Sequence, residues 1–369
     1  MVEYDLGKEL QGKSVLVTGG AGLIGSRVVG LLRELGARPV VLCTMDAYPE
    51  RVYRELFGVT AGDPGVVVGD VTDRALVGQL VRGCEFVVHA AALADVAACT
   101  RDAGAAIHTN VVGTQAVLEA VAGSASVRRL VFASSASVYG NGDPKDWASP
   151  DPDRRALRKA LEFQYGRKPP QFAEDCRLRP LSVYANTKAF GETQTGLVLG
   201  AAGVSFCIVR YFSVYGEPQV VKPESHSWVV AWFATRALLG LPLQLNGGGY
   251  QVRDLVHVDD VAAATVRALV APTAHDEALN VGSGVATSIR QVAELVRGHV
   301  PGVSLVEAPL PPGDPLGGYA STRRMEQLLG WVPGISVADG VARYLEWLRR
   351  TPQAVPDRLR AEVGNVVRV

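Results

Sequence analysis

The sequence lacks a net charge, because 37 Lys and Arg residues balance 37 Asp and Glu residues over a length of 369. A balanced chain has no overall field that would draw it to nucleic acid or to an anionic membrane. No run approaches the roughly 20 apolar residues of a membrane span, and residues 1–13 lack an apolar stretch of signal-peptide length. We therefore expect a cytoplasmic protein whose ligand is a small molecule, with neither a nucleic-acid nor a membrane partner.

Cysteine and histidine are also scarce. The five cysteines are odd in number, widely spread and without a CxxC pair, which favours reduced structural thiols. The six histidines are equally scattered, and His89 and His257 lie at strand-like positions where a hydrogen-bonded core histidine is more common than a metal ligand. The sequence therefore predicts no metal site.

Short apolar runs rich in valine and isoleucine alternate with segments of helical period in the first part of the chain. This alternation is typical of βαβ units. Because runs that are apolar on both faces suit a parallel sheet covered by helices on either side, the pattern predicts an α/β protein with a doubly wound parallel sheet of the Rossmann type. The runs are 14–18, 39–43, 66–69, 86–90, 130–134 and 206–210.

A glycine motif follows the first of these runs. The segment TGGAGLIGS places Gly19, Gly22 and Gly25 at GxxGxxG spacing. The first glycine permits a tight turn, the second lets a diphosphate approach the backbone, and the third lets the next helix pack closely on the strand. The N-terminus of that helix, at Leu23 and Ile24, offers free N–H groups to the same anion. A strand before the motif and a helix after it are the context of an NAD or NADP site.

Two further strand ends fit the same cofactor. Asp70, followed by Val71, ends the third predicted strand and can accept a hydrogen bond from the adenine amino group. The small side chains of Ala90, Ala91 and Ala92 let the cofactor lie against the end of the fourth strand. All five residues are expected to contact the cofactor.

The ribose position is less typical. The second strand ends in Cys43 and Thr44, where an NAD enzyme usually places Asp or Glu for the 2′-hydroxyl. No arginine stands at that turn to receive the 2′-phosphate of NADP, although Arg51 and Arg54 lie close in sequence. Thr44 is expected to line the site, NAD is slightly favoured, and NADP stays open.

A second motif carries acid/base chemistry. The segment SVYANTK places Tyr184 and Lys188 at i and i+4 of a predicted helix, and hence on one face. An ammonium beside a phenol, with a positive nicotinamide ring close by, stabilises the phenolate and makes the tyrosine a general base. Ser135, at the Ser-rich end of the fifth strand, can relay the proton or steady an alkoxide. The three residues predict hydride transfer at a substrate hydroxyl carbon.

These segments resemble the extended short-chain dehydrogenase/reductase family, specifically its nucleotide-sugar epimerase and dehydratase branch. The resemblance extends from Gly12 to about Leu348 and implies that Ser135 is the catalytic hydroxyl, Tyr184 the base, and Lys188 both its electrostatic partner and a ribose ligand. Beyond the two motifs, the matching segments are HAAALADV, NVVGT, SVYG, RYFSVYG, GGGYQVRDLVHVDDVA, NVGSG, PPGDP and LGWVP.

The resemblance implies further roles. Asn110 would support the active-site helix beside the cofactor, and Arg253 would bind a substrate phosphate. The alternative for Arg253 is an ion pair with Asp254 or Asp259. A homodimer is also implied, through helices around residues 114–121 and 187–199.

Departures from the family pattern narrow the activity. Dehydratases of this branch carry an Asp-Glu pair directly after the catalytic hydroxyl, and decarboxylases keep the Glu, whereas this chain has Ala136 and Ser137. Without a carboxylate to move the C5 proton and protonate the departing hydroxyl, dehydration is disfavoured. Reductive epimerases carry Cys and His groups instead, and Ser137 supplies no thiol.

Three activities remain open. The first is an NAD(P)-dependent nucleotide-sugar 4-epimerase that acts through a transient 4-keto intermediate. The second is an NADP-dependent reductase or dehydrogenase of a sugar or small carbonyl compound. The third, a non-catalytic cofactor-binding protein, is opposed by the complete set of Ser, Tyr and Lys.

The substrate site departs from the pattern as well. Ser213 stands where many members have an Asn that contacts the diphosphate, and Leu310 and Pro311 fall where a second phosphate-binding arginine is usual. Phosphate recognition would then rest mainly on Arg253. The residues expected to bind the substrate are Ser135, Ser137, Ser213 and Arg253.

The domain division follows from these motifs. Residues 1–212 are expected to form the NAD(P)-binding domain, to which 256–280 return, and residues 213–350 a smaller mixed α/β substrate lobe. The polar, Pro-interrupted tail 351–369 is expected to be poorly ordered or loosely docked. Segment 143–179 is too long for a βα connection, usually about 2–6 residues, and is either a lid-like insertion or a solvated surface excursion.

Overall fold

Strands and helices alternate along the chain as the apolar runs predict. The structure is a computed structural model that describes residues 5–141, 170–222, 228–309 and 317–366. Its strands are β1 (Ser14–Thr18), β2 (Arg38–Cys43), β3 (Val66–Val68), β4 (Phe86–His89), β5 (Arg129–Ser135), β6 (Gln171–Phe172), β7 (Ser205–Tyr211), β8 (Ser213–Tyr215), β9 (Leu243–Asn246), β10 (Val252–His257), β11 (Glu277–Val281), β12 (Ala286–Ser288), β13 (Leu305–Ala308) and β14 (Tyr319–Ala320).

The helices connect these strands. Within the described residues, none combines the length and the apolar character needed to cross a membrane. The α-helices are α1 (Leu6–Leu10), α2 (Leu23–Glu34), α3 (Glu50–Val52), α4 (Arg74–Val81), α5 (Val96–Arg101), α6 (Ala103–Ile107), α7 (Gly113–Ala122), α8 (Val183–Ala202), α9 (Val229–Leu238), α10 (Val258–Val270), α11 (Ile289–His299), α12 (Arg323–Leu329), α13 (Val337–Arg350) and α14 (Asp357–Val366); π-helical turns cover Tyr53–Phe57 and His108–Val112, and 3₁₀ turns cover Ala136–Tyr139, Gly247–Gly249, Pro272–Ala274 and Pro352–Ala354.

Seven parallel strands form the central sheet, in the order β11-β7-β5-β4-β1-β2-β3. In β1, Val17 pairs with Val41 of β2 on one side and with Val88 of β4 on the other. The strand order reverses between β1 and β4, and in doubly wound sheets the ligand crevice opens at the carboxyl ends of the strands at that point. The predicted Rossmann-type fold is confirmed.

Successive residues of β1 pack on opposite faces of the sheet. Val15 and Val17 belong to one buried cluster with Val28 of α2, and Leu16 belongs to a second with Val117 of α7. Full burial of each of these side chains contributes about 1.5–3 kcal/mol. The continuous apolar run of β1 is therefore the consequence of helices on both faces.

The later part of the chain builds smaller sheets around this core. Strands β12, β10 and β8 form one three-stranded sheet, and the pairs β13-β9 and β14-β6 form two others. Segment 256–280 contains α10 and most of β11, and β11 pairs in parallel with β7 at the edge of the central sheet. The chain thus crosses between the central sheet and the later lobe more than once.

The end of the long connection 143–179 is anchored. Residues 143–169 lie outside the described residues. The ring of Phe172 stacks on that of Tyr139 with 4.7 Å between centroids. A carboxylate oxygen of Glu174 accepts a hydrogen bond from the Asn280 backbone N–H at 2.8 Å. At this end, the connection is a packed part of the protein.

The prediction of a loosely docked tail was wrong for the residues that follow Thr351. A 3₁₀ turn and α14 occupy this segment, and Ala354, Val355 and Leu359 are buried. Arg358 donates a hydrogen bond to the Lys222 carbonyl at 2.8 Å. Ala354 and Val355, at the end of the 3₁₀ turn, and Leu359 of α14 therefore dock a segment whose other side chains are mostly polar.

Candidate active site

The glycine loop lies at the end of β1 and cannot carry side chains. Gly19 has a φ of 70°, and a Cβ there would lie 2.8 Å from the Ala91 backbone nitrogen. A Cβ on Gly25 would overlap the Gly19 carbonyl oxygen. The first glycine therefore permits a left-handed turn against the end of β4, and the third lets α2 pack directly on that turn.

The N-terminus of α2 is open to an anion. Gly22 occupies the N-cap position and has no side chain with which to accept hydrogen bonds from the first turn. The N–H groups at the start of the helix, where Leu23 and Ile24 lie, are left for a ligand, and the helix dipole adds partial positive charge. The residues fit the diphosphate of a dinucleotide, which is the anion expected from the glycine spacing.

The neighbouring strand ends lie at the same edge of the sheet. The carboxylate of Asp70 accepts hydrogen bonds from the backbone and the hydroxyl of Thr72, both at 2.8 Å, which orient it at the end of β3. Val71 is buried and packs against Gly113, where a Cβ would lie 2.6 Å from it. Ala90, Ala91 and Ala92 are half-buried after β4, so small side chains do line the crevice there.

Thr44 lies on the β2 side of the crevice and is exposed. Its hydroxyl donates a hydrogen bond to a carboxylate oxygen of Asp46 at 2.6 Å. Between them, Met45 has a φ of 56°, which turns the backbone so that Asp46 folds back towards the strand end. A carboxylate therefore stands near the position where the strand itself ends in Cys43.

A chain of buried hydrogen bonds runs from β1 to α8. Thr18 Oγ1 and His89 Nδ1 are 2.7 Å apart, and His89 Nε2 lies 2.9 Å from Thr114 Oγ1. The Thr114 hydroxyl donates to the Asn110 carbonyl, and the Asn110 amide donates to Thr187 Oγ1 of α8. Burial lowers the pKa of His89 to about 3, so the imidazole is neutral. The prediction of a hydrogen-bonded core histidine is confirmed at this position.

The side-chain amide of Asn110 makes its hydrogen bonds to other groups of the protein. It is buried, and its amide nitrogen donates to Thr187 Oγ1 and to the Leu93 carbonyl, while its oxygen accepts from the Leu93 N–H. Both amide protons are therefore engaged. The geometry agrees with support of the active-site helix, and contact of Asn110 with the cofactor stays a prediction that would have to use another of its atoms.

Ser135, Tyr184 and Lys188 come together at the carboxyl end of β5, and β4 lies between this strand and β1, which the glycine loop follows. Ser135 is the last residue of β5, and Tyr184 and Lys188 lie in the first turns of α8, which Ser182 caps by accepting from the Ala185 N–H. The Lys188 ammonium lies 6.0 Å from the centroid of the Tyr184 ring and donates to the Ala133 carbonyl at 2.7 Å. The i, i+4 spacing does place both side chains on one face of the helix.

Burial controls the titration of this set. Burial raises the pKa of Tyr184 to about 12, against the lowering effect of a side-chain hydrogen bond with Ser135. Burial also lowers the pKa of Lys188 to about 8, although Cys99 and Glu192 act in the opposite direction. Because desolvation outweighs the hydrogen bond with Ser135, the pKa of Tyr184 lies above the ordinary value of a tyrosine among the protein's own groups.

A buried ion pair lies behind Lys188. Glu192, one turn further along α8, accepts from Arg210 at 2.8 Å and from the Ser134 hydroxyl at 2.5 Å. Arg210 also donates to the Tyr139 hydroxyl at 2.7 Å. Sequence reasoning missed this pair, although the spacing of Glu192 from Lys188 is the same i, i+4 signal. The pair ties α8 to the ends of β5 and β7 and holds a negative charge near Lys188.

Two serines expected at the substrate site differ in their surroundings. The Ser137 hydroxyl is buried and has no hydrogen-bond partner among the described residues, so it is available to a ligand. Ser213 begins β8, where it is half-buried opposite Leu255 of β10. Leu310 and Pro311 lie outside the described residues.

Arg253 is half-buried in β10 and donates to the Val252 carbonyl at 2.8 Å. The two carboxylates that could pair with it have other partners. Asp254 accepts from the Ser283 and Ala320 backbone N–H groups. Asp259 pairs with Arg27 and Arg343. Phosphate binding by Arg253 stays a prediction.

Glu217, His257 and Asp259 form a cluster whose ligand atoms lie within 4.8 Å of one another. Arg343 donates to both carboxylates, and Arg27 donates to Asp259. Although burial acts in the opposite direction, hydrogen bonds from His257 and Arg343 lower the pKa of Glu217 to about 2. Two arginines thus balance the two carboxylates, and this network satisfies the side chains that a metal ion would otherwise hold.

The parallel sheet, the glycine loop and the open start of α2 define a dinucleotide-binding protein of the Rossmann class. The chain belongs to the NAD dependent epimerase/dehydratase family, whose model matches residues 15–157 and 163–282. The resemblance to the extended short-chain dehydrogenase/reductases is confirmed, and the protein is an enzyme of that type.

Individual members of the family are similar over most of the chain. A UDP-glucose 4-epimerase of Mycolicibacterium smegmatis is 31% identical over 344 residues, which are 92% of this chain and 99% of that protein. A dTDP-glucose 4,6-dehydratase of the same species is 35% identical over 256 residues, 69% of this chain and 68% of that protein. The structure of Thermus thermophilus UDP-glucose 4-epimerase in complex with NAD has a TM-score of 0.75 and 30% identity, covering 91% of this chain and 99% of that one.

Proposed function

We propose that this enzyme is a nucleotide-sugar 4-epimerase that acts through a transient 4-keto intermediate. The observation that carries the proposal is the grouping of Ser135, Tyr184 and Lys188 at the carboxyl end of β5, with Ala136 and Ser137 directly after the serine. This set can move a proton on a hydroxyl, but it has no carboxylate at the two positions where dehydratases carry their acid/base pair. Oxidation and reduction at one carbon is the chemistry that remains.

The residues divide the work of the reaction. When bound, the nicotinamide cofactor supplies the acceptor and donor of a hydride. Tyr184 takes the proton of the 4-hydroxyl in the first step and returns a proton to the 4-keto oxygen in the second, when hydride would reach the opposite face of C4, while Ser135 donates a hydrogen bond to that oxygen. Lys188 stabilises the phenolate of Tyr184, and a bound positive ring would lower the tyrosine pKa from the raised value that burial gives it. Turning of the 4-keto sugar between the two steps gives the epimer and restores the cofactor.

The substrate would be a nucleoside diphosphate sugar. Arg253 can bind a phosphate as a bidentate donor, and the unpartnered hydroxyl of Ser137 can bind the sugar. Two of the similar proteins described above are named for UDP-glucose, which makes UDP-glucose the first substrate to test.

The test separates epimerisation from net redox chemistry. Purified enzyme is incubated with UDP-glucose, with a panel of other nucleotide sugars and with added NAD or NADP, and absorbance at 340 nm is followed while the sugar products are identified by NMR. A 4-epimer without net absorbance change supports the proposal. Stoichiometric absorbance change supports the second candidate, an NADP-dependent reductase or dehydrogenase, which is favoured by the lack of an acidic residue at Cys43 and Thr44.

We infer that the cofactor is NAD rather than NADP. Asp46, held by Thr44, offers an acceptor for a ribose 2′-hydroxyl, and a 2′-phosphate would face its charge. The arginines near this turn lie beside carboxylates: Arg54 beside Glu50, and Arg51 beside Asp357.

Replacing Asp46 by asparagine is expected to lower the ratio of NAD to NADP affinity by about tenfold, because it removes the repulsion of the 2′-phosphate. The ratio is measured by calorimetric titration of both cofactors. Glu9→Gln, which removes an exposed carboxylate on α1, serves as the matched control. A wild-type protein that binds NADP more tightly than NAD would contradict the inference.

We also propose a homodimer formed through α8 and the helical segment 103–112, which contains α6 and the π-helical turn that follows it. Exposed apolar residues lie along both: Ile107 is 50%, Val112 37%, Phe190 39% and Leu197 65% exposed. In the region 114–121, where the interface was expected, Thr114, Val117, Leu118 and Val121 are buried inside the protomer. The exposed apolar residues lie before this region in the sequence, at Ile107 and Val112. An apolar stripe across adjacent helices is typical of a protein interface.

A charge in this stripe should separate the subunits. Leu197→Glu is expected to weaken dimerisation by about 100-fold or more, because the carboxylate would be desolvated in an apolar interface. Light scattering after gel filtration at micromolar concentration measures the mass. Val306→Glu, an exposed apolar site on β13, is the control and should stay dimeric. A monomeric wild type would refute the proposal.

A further inference from the structure

Lys222 joins the later lobe to the loop that follows β2. Its ammonium lies 4.9 Å from the centroid of the Tyr48 ring and 5.8 Å from that of Trp228. Tyr48 follows β2 of the central sheet, whereas Trp228 directly precedes α9. The Lys222 carbonyl is held by Arg358 of α14. The side chain is therefore clamped between two aromatic rings from distant parts of the sequence.

The contact with Tyr48 places this ammonium beside the loop that follows β2, at the carboxyl edge of the central sheet. Burial lowers the pKa of Lys222, and the carboxylates of Asp95 and Asp46 act in the opposite direction. Asp46 lies in the loop after β2 and Asp95 in the loop after β4, and these two strands flank β1. The ammonium is therefore near enough to the loops after β2 and β4 to interact with their carboxylates, and β2 and β4 lie on either side of β1, which the glycine loop follows.

The ammonium has no anion of its own in the part of the chain that the structure describes. Its contacts there are the faces of two rings, which attract a cation but do not accept hydrogen bonds. The two carboxylates that act on it from farther away have other partners, because Asp46 accepts from Thr44 and Asp95 caps α5 through the Ala98 N–H. A half-buried ammonium with three unused donors is set to receive an anionic ligand.

We propose that Lys222 binds a diphosphate and closes the dinucleotide crevice from the side opposite the glycine loop. The proposal rests on the proposed function, in which two ligands carry a diphosphate: the cofactor and the nucleotide sugar. A cation at this place also offsets the repulsion that the carboxylates of Asp46 and Asp95 would exert on either diphosphate. It supplies positive charge in a chain that has Leu310 and Pro311 where the family pattern usually places a second phosphate-binding arginine.

Calorimetric titrations with NAD and, separately, with UDP test the proposal on protein freed of bound nucleotide. Lys222→Met keeps an apolar stem between the rings and removes the charge, and Lys222→Arg keeps the charge. Lys8→Met, at an exposed position on α1, is the matched control. Thermal unfolding establishes that each variant is folded, and Lys222→Gln replaces the methionine variant if that one does not fold.

Loss of the charge is expected to weaken one of the two ligands by about tenfold or more, because a charge-assisted hydrogen bond to phosphate is lost. Arginine should keep the affinity within about threefold, since it also binds phosphate. Weakening of NAD alone assigns Lys222 to the cofactor, and weakening of UDP alone assigns it to the substrate. For the ligand whose binding is weakened, the affinity should also depend less on salt concentration in Lys222→Met than in the wild type.

If Lys222→Met binds NAD and UDP each as tightly as the wild type does, the inference is overturned, and the lysine has only a packing role between Tyr48 and Trp228. That result is distinct from failure of the proposed function, in which the wild-type protein itself would bind neither NAD nor UDP. A loss of affinity in Lys8→Met equal to that in Lys222→Met would also overturn the inference, because it would show a general effect of net charge.

Discussion

Replacing Tyr184 by phenylalanine is expected to lower kcat by about 10²–10⁴-fold, the usual contribution of a positioned acid/base group. The phenol lies beside Ser135 and on the same helix face as Lys188, and phenylalanine keeps the ring while removing the proton carrier. NAD binding should change little, since the ring still packs at the crevice. Initial rates of sugar epimerisation and calorimetric titration of NAD measure the two quantities separately.

The control for this substitution is Tyr250→Phe, which removes the hydroxyl of a tyrosine that is 48% exposed and lies outside the Ser, Tyr and Lys set. It should retain wild-type kcat. A Tyr184→Phe enzyme with full activity would show that another group moves the proton. If no nucleotide sugar or carbonyl compound is turned over by the wild type either, the non-catalytic alternative gains support.

Replacing Gly25 by alanine is expected to abolish detectable NAD binding and to lower the free energy of unfolding by about 1–3 kcal/mol, the cost of overpacking. A Cβ at this position would overlap the Gly19 carbonyl oxygen and lie 2.7 Å from the Gly20 Cα. Both obstacles are backbone, so only a shift of α2 away from the glycine loop can relieve them. That shift would displace the N–H groups that bind the diphosphate.

Gly30→Ala is the matched control, because Gly30 lies in the same helix and a Cβ there meets no atom within 4 Å. It is expected to stabilise the protein by about 0.4–1 kcal/mol through the lower entropy of the unfolded chain. Urea unfolding and NAD titration measure both variants. A Gly25→Ala protein that unfolds and binds like wild type would show that α2 and the glycine loop are not in close contact.

Much of the fold and part of the candidate site were predictable because the signals are local. The valine-rich runs predicted the strands of the central sheet, and the spacing of Gly19, Gly22 and Gly25 predicted the turn after β1. The spacing of Tyr184 and Lys188 predicted that they share a helix face. Their catalytic roles, the homodimer and a cytoplasmic location stay predictions, because they concern ligands and surroundings outside the chain's own contacts.

Other features of the site were not predictable from the sequence. Glu192 pairs with Arg210, 18 positions away, and Thr18 contacts His89, 71 positions away. The order of the strands in the sheet determines which of these residues meet, and the spacing of residues along the chain does not encode that order. The side-chain partners of Asn110, Leu93 and Thr187, also lie far from it in the sequence, at separations of 17 and 77 positions.

By itself, the sequence determined the family, the doubly wound fold and the residue types of a hydride-transfer site, because glycine spacing and helical and strand periodicity depend on near neighbours. Only the tertiary structure decided the electrostatic state of that site. Burial raises the pKa of Tyr184 to about 12 and lowers that of Lys188 to about 8. Packing also brought Lys222 between the rings of Tyr48 and Trp228. Desolvation and contacts between distant segments exist only once the chain is packed, and they decide which charges face the ligand.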